Sequence, residues 1–219
     1  MEINSALIAP IIAALLCGLV TIAVPYALPQ ARWLFVVLKG STTGLILVVA
    51  LIPGMRGWSL YGATIVLGLL FCLLGDILLA LPHERFLAGL ASFMVANLIY
   101  AFAFAAPSRT SASGWATLPL AAYGAFMLWY LWPGLSGGMR APVSAYLLIM
   151  LVMVGLAVYR TGFQTSFGTR SAAAGALLFM VSDSVLAVSR FRQPFRLVRA
   201  CVLSTYFVGQ LLIAISASS

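Results

Sequence analysis

Two aspartates set inside long apolar runs are the residues best placed to do acid–base chemistry. Leu70 to Ala80 reads L-F-C-L-L-G-D-I-L-L-A around Asp76, and Leu177 to Ala187 reads L-L-F-M-V-S-D-S-V-L-A around Asp183. The chain has only four acidic residues, so half of them are placed this way. An Asp at the centre of a membrane span costs about 2.5–3.5 kcal/mol on insertion scales, so it usually marks function. Two such acids can divide acid–base work, one acting as a neutral proton donor and the other as a carboxylate base. The competing account is that each merely braces a neighbouring helix through hydrogen bonds.

Other polar residues fall in the same runs: Lys39, Asn97, Tyr100, Tyr146, Tyr206 and Gln210. Lys39 can neutralise an aspartate or reach toward headgroups. The tyrosines, Asn97 and Gln210 are more often hydrogen bonders between helices than catalysts. Gly40-Ser41-Thr42-Thr43-Gly44 has small-xxx-small spacing, which predicts close helix packing. His83, Glu84 and Arg85 read as a solvated turn.

What must position these groups is a bundle of membrane helices. With 63% hydrophobic and 7% charged residues, 219 residues cannot build an ordinary water-facing surface. The fold class is all-α, a polytopic membrane helix bundle forming one integral membrane domain over residues 1–219. At roughly 20 residues per span there is room for about eight transmembrane helices. Turn chemistry at Pro25, Pro29, Pro53-Gly54, Pro82, Pro107, Pro133-Gly134, Gly137-Gly138, Pro142, Gly162 and Pro194 sets the breaks. The expected spans are 5–24, 31–52, 58–81, 86–105, 115–132, 142–161, 170–189 and 196–216. The N-terminus carries Glu2 and no basic segment, so no cleaved signal peptide is expected.

Loops after odd-numbered spans hold seven arginines: Arg32, Arg85, Arg140, Arg190, Arg192, Arg196 and Arg199. Loops after even-numbered spans hold four: Arg56, Arg109, Arg160 and Arg170. The positive-inside rule then puts both termini on the non-cytoplasmic side. A bacterial inner membrane is the expected location. The net charge of +8 is spread through these loops, which suits lipid headgroups and not nucleic acid.

In this topology both aspartates lie roughly 7–9 Å below the cytoplasmic ends of spans 3 and 7. Lys39 and Tyr146 enter from that same side. Asp76 and Asp183 are 107 positions apart, and the same offset carries span 2 onto span 6 and span 4 onto span 8. The simplest reading is two four-helix halves related in parallel.

Several chemistries find no support. One histidine is too few for a His-based zinc site or a serine triad, and no phosphate-binding glycine loop or dinucleotide fingerprint appears. No metal or cofactor is expected. Cys17, Cys72 and Cys201 fall in spans and read as small apolar fillers.

The combination resembles the YhhN/TMEM86 family, whose characterised members are lysoplasmalogenases. The likeness rests on Lys39; Gly75-Asp76 followed by Phe86, Gly89, Phe93 and Tyr100; Tyr146; Phe179 with Ser182-Asp183 and Phe191; and Tyr206 with Gln210. It covers essentially the whole chain. One departure is Asn97, where the family usually carries a histidine three residues before the tyrosine, so a proton-donor role for that histidine does not carry over.

The resemblance implies hydrolysis of the vinyl ether bond of a lysophospholipid within the bilayer. Products would be a fatty aldehyde and a glycerophospho-ethanolamine or -choline. Asp76 and Asp183 would be the catalytic acid and base, in either order. Lys39, Asn97, Tyr100, Tyr146, Tyr206 and Gln210 would contact substrate, and Arg85, Arg190 or Arg192 would take the phosphate. The alternatives are a proton-coupled small-molecule transporter and a non-enzymatic membrane protein. Against transport, spans 3 and 7 show no broken-helix signal beside the acids.

Overall fold

The computed structural model describes residues 5–81, 85–105 and 117–218. Glu2, His83, Glu84 and Arg109 lie outside the described residues. Eight α-helices follow one another: α1 (Ser5–Ala27), α2 (Arg32–Leu51), α3 (Leu60–Ala80), α4 (Phe86–Phe104), α5 (Thr117–Leu131), α6 (Gly137–Thr161), α7 (Phe167–Phe191) and α8 (Val198–Ser216). Seven of them are long and apolar enough to cross a bilayer, as befits a multi-pass integral membrane protein. The exception is α5, described over 15 residues, which spans about 22 Å where the hydrocarbon core needs about 30 Å.

Two helices start where a serine side chain meets a free backbone N–H group. Ser59 caps α3 through Gly62 N at 2.9 Å, and Ser166 caps α7 through Thr169 N at 3.2 Å. Two expected breaks do not occur. Helix α1 runs through Pro25 to Ala27, and α6 begins at Gly137 and takes Pro142 inside it. Each of these prolines removes one i→i−4 hydrogen bond, a loss that membrane helices tolerate where neighbouring groups re-satisfy the freed carbonyl.

The two halves pack alike. Helix α1 lies on α2 as α5 lies on α6, α2 on α3 as α6 on α7, and α3 on α4 as α7 on α8. The halves join in matching fashion, α2 against α8 and α6 against α4. This is the parallel relation that the 107-residue offset suggests. Helices α7 and α8 approach closely enough that a Cβ on Gly175 would stand 2.5 Å from Gly209 O. Helix α7 has 25 residues against 21 in α3, about one extra turn. That turn carries Arg190 and Phe191 beyond the level at which α3 stops.

Candidate active site

The residue before each aspartate faces the helix packed beside it. A Cβ on Gly75 would come within 2.7 Å of the Phe93 ring, so the Gly75-Asp76 frame admits α4 closely. Ser182 Oγ donates to Val202 O at 3.0 Å, which ties the Ser182-Asp183 frame to α8. Each carboxylate is thereby turned toward helices of the bundle.

Asp76 is 1% exposed and fully engaged. Lys39 Nζ lies 2.9 Å from Oδ1. Thr43 Oγ1 and Tyr206 Oη donate to Oδ2 at 2.6 and 2.7 Å. Among the described residues the ion pair with Lys39 is the one interaction of Oδ1. At an effective dielectric near 20 that pair is worth about 6 kcal/mol. Desolvating two ions costs several kcal/mol each, so the pair alone roughly breaks even. The two donors on Oδ2, at about 1.5–3 kcal/mol each for bonds to a charged group, tip the balance toward a stable carboxylate.

Asp183 is placed differently. It is half-buried, and among the described residues Tyr146 is the one side chain hydrogen-bonded to it, donating to Oδ2. Both groups line an apolar cleft between α4, α5, α6 and α7, walled by Leu90, Phe93, Met127, Leu147, Met150 and Ala187 among others. The cleft holds about 60 Å³, room for roughly four or five water-sized groups. Ser184, also in its wall, is hydrogen-bonded to Tyr123 of α5. At its outer end stand Phe86, Arg190 and Phe191, with the Arg190 guanidinium 5.0 Å from the centre of the Phe86 ring.

Three rings separate the two acids. Phe93, Phe179 and Tyr206 lie with centroids 5.8–6.2 Å apart. Phe93 faces the cleft and Tyr206 holds Asp76, so their edge-on ring contact links the cleft to the Asp76 cluster.

The other expected site residues divide. Lys39 and Tyr206 belong to the Asp76 cluster, and Tyr146 belongs to the cleft. Tyr100 and Gln210 lie deeper, both 0% exposed: Tyr100 Oη donates to Gln210 Oε1 at 2.9 Å, and Gln210 Nε2 donates to Cys72 Sγ at 3.3 Å. They tie α3, α4 and α8 together, and Cys72 is an acceptor there, not simply a filler. Asn97 is 0% exposed and faces the Tyr146 hydroxyl, yet neither its Oδ1 nor its Nδ2 completes a hydrogen bond among the described residues. An unmet buried amide costs about 1–3 kcal/mol. Arg85 is exposed, and Arg192 lies 5.0 Å over the Tyr130 ring.

Thr43 and Ser184 were missed from the sequence. Thr43 sits in the stretch read as a packing motif, but a Cβ on Gly44 would meet nothing within 4 Å. The polar threonines do the work instead. Thr43 holds Asp76, and Thr42 Oγ1 meets Thr21 Oγ1 of α1 at 3.0 Å.

Comparison with known proteins places these residues in context. A model described as YhhN family matches residues 34–217. An uncharacterized membrane protein YhhN of Escherichia coli O6:H1 is 32% identical over 83% of this chain and 85% of its own length. A human protein named lysoplasmalogenase TMEM86A is 33% identical over 70% of this chain and 64% of its own. Lysoplasmalogenase TMEM86B of Rattus norvegicus is 36% identical over 75% of this chain and 63% of its own. The chain thus spans nearly two thirds of the length of these two lysoplasmalogenases. No solved structure matches it.

Proposed function

This chain belongs to the YhhN family, and from that premise we propose that it is a membrane hydrolase of lysoplasmalogens. It cleaves their vinyl ether bond to a fatty aldehyde and a glycerophospho-ethanolamine or -choline. The names of the related lysoplasmalogenases support the substrate class. The observation that carries the reading is the unequal setting of the two acids: Asp183 faces an apolar cleft, and Asp76 is locked in a polar cluster behind it.

Vinyl ether hydrolysis begins with proton delivery to the β-carbon. The double-bond electrons take the proton, leaving a cation shared between the α-carbon and the ether oxygen. Water adds at the α-carbon, and the hemiacetal breaks its bond to the glycerol oxygen, which leaves as a hydroxyl. Asp183 is the proton donor in this account. Tyr146 fixes Oδ2, so a proton on Oδ1 points at the bond to be broken. Asp76, kept ionised by Lys39, contributes negative charge near the developing cation.

The cleft suits one lipid chain. Arg190 is seven residues beyond Asp183, about 10 Å along α7. Seven bonds separate the phosphorus of a lysoplasmalogen from its β-carbon, about 9 Å when extended. A phosphate at the level of Arg190 therefore puts the vinyl ether at the level of Asp183, with the rest of the chain in the bilayer. The arginine distribution supports a bacterial inner membrane with both termini outside, and reporter fusions at each terminus test it.

The experiment is direct. Purified protein in detergent, given lysoplasmalogen, releases fatty aldehyde. Absence of release, together with solute uptake by proteoliposomes, would replace hydrolysis by transport.

A further inference from the structure

Asn97 is fully buried, its amide faces the Tyr146 hydroxyl, and neither its Oδ1 nor its Nδ2 completes a hydrogen bond among the described residues. It stands on α4 one turn beyond Phe93, a wall of the cleft, and faces the Tyr146 hydroxyl that holds Asp183. The hydroxyl hydrogens of its neighbours are already given away, Tyr146 to Asp183 and Tyr100 to Gln210, so neither can serve Asn97 Oδ1. Buried polar groups left unmet by protein are most often met by ordered water, which needs two to four polar partners. Asn97 Oδ1 and Nδ2, behind the cleft-lining Tyr146, and the second oxygen of Asp183 would be three such partners.

We propose that Asn97 seats the water consumed in hydrolysis, beside the Tyr146–Asp183 pair. The inference rests on the hydrolase reading above. The water accepts from Nδ2 and donates one hydrogen to Oδ1. Its second hydrogen faces Asp183, and its remaining lone pair faces the cation. Asp183 has by then given its proton to the β-carbon and is a carboxylate. As the water oxygen bonds to the α-carbon, Asp183 takes the second hydrogen and regains its starting state. One water is consumed, and the acid is unchanged over the cycle.

Asn97→Leu tests this, since it keeps similar volume and removes both polar groups. Three quantities are read on the purified protein in detergent: aldehyde release, the unfolding midpoint, and the product ratio in water–methanol mixtures. Methanol traps the cation as a stable methyl acetal. Loss of an oriented water is expected to lower aldehyde release by about 100-fold with KM changed less than about threefold. The midpoint should hold or rise, because an unmet amide has been replaced by an apolar group. Among residual products, the methyl acetal share should grow. Asn97→Ser, which keeps one hydroxyl, should fall between the wild type and Asn97→Leu in rate.

Wild-type release with an unaltered rate and product ratio in Asn97→Leu would overturn the water site and leave the hydrolase standing. A midpoint that drops equally in the Leu and Ser variants, with an unaltered product ratio, would make Asn97 a structural brace and overturn it too. Failure of the wild type to release aldehyde would instead remove the reading on which the inference rests.

Discussion

Lys39 and Tyr146 hold the same place in the two halves of the bundle, and each binds the aspartate 37 positions ahead of it. The two helix pairs concerned, α2 with α3 and α6 with α7, pack alike. One half therefore pairs its acid with a cation and the other with a neutral hydroxyl. A repeat that began symmetric carries two different environments for the same carboxyl group. In the mechanism we propose, this difference divides the labour between Asp76 and Asp183.

The first consequence concerns stability. Lys39→Met leaves the buried Asp76 without its cation at Oδ1. Removing one partner of a buried pair costs about 3–5 kcal/mol. For a chain of this size the unfolding midpoint in detergent should fall by about 10 °C. The double variant Lys39→Met with Asp76→Asn removes both charges and should recover most of that loss. A double variant no more stable than Lys39→Met would contradict the ion-pair account.

Tyr146→Phe keeps the ring in the cleft wall and deletes the donor to Asp183. We expect kcat to fall by about 10- to 100-fold, the range for losing one hydrogen bond to a charged or partly charged group. KM should stay within about threefold of wild type, because the apolar wall is intact. A rise in KM at constant kcat would assign Tyr146 to binding alone.

Ala187 lies one turn beyond Asp183 on the same face of α7 and lines the cleft. Ala187→Phe places a ring between Asp183 and Arg190. Against about 60 Å³ of space, that ring occludes the path of a lipid chain. We expect kcat/KM for long-chain lysoplasmalogen to fall about 10-fold or more, with the unfolding midpoint within a few degrees of wild type. Unaltered kinetics would place the substrate elsewhere.

Much of this arrangement was legible in the sequence. Apolar runs cut by Pro and Gly gave eight helices. Counting residues from their ends brought Lys39, Asp76, Tyr146 and Asp183 to one end of the bundle. Subtraction linked Asp76 to Asp183. The role of Thr43 was hidden, because a threonine among small residues reads as packing until the facing helix is known. The division of the polar residues was hidden for the same reason. Tyr100 and Tyr206 hold unlike partners, Gln210 and Asp76, that lie 110 and 130 positions away in the chain. Pro142 misled because a membrane helix tolerates a proline where neighbouring groups re-satisfy the freed carbonyl.

The most direct test is aldehyde release by Asp183→Asn beside the wild type and Asp76→Asn, all purified in detergent and matched for unfolding midpoint, with Lys39→Met added to the Asp76 variant to remove the stranded cation. The account predicts release by the wild type, a loss of about 1,000-fold or more in Asp183→Asn, which keeps the shape of the side chain but has no proton to give, and a smaller loss in the Asp76 variant. Release by folded Asp183→Asn at the wild-type rate would contradict it.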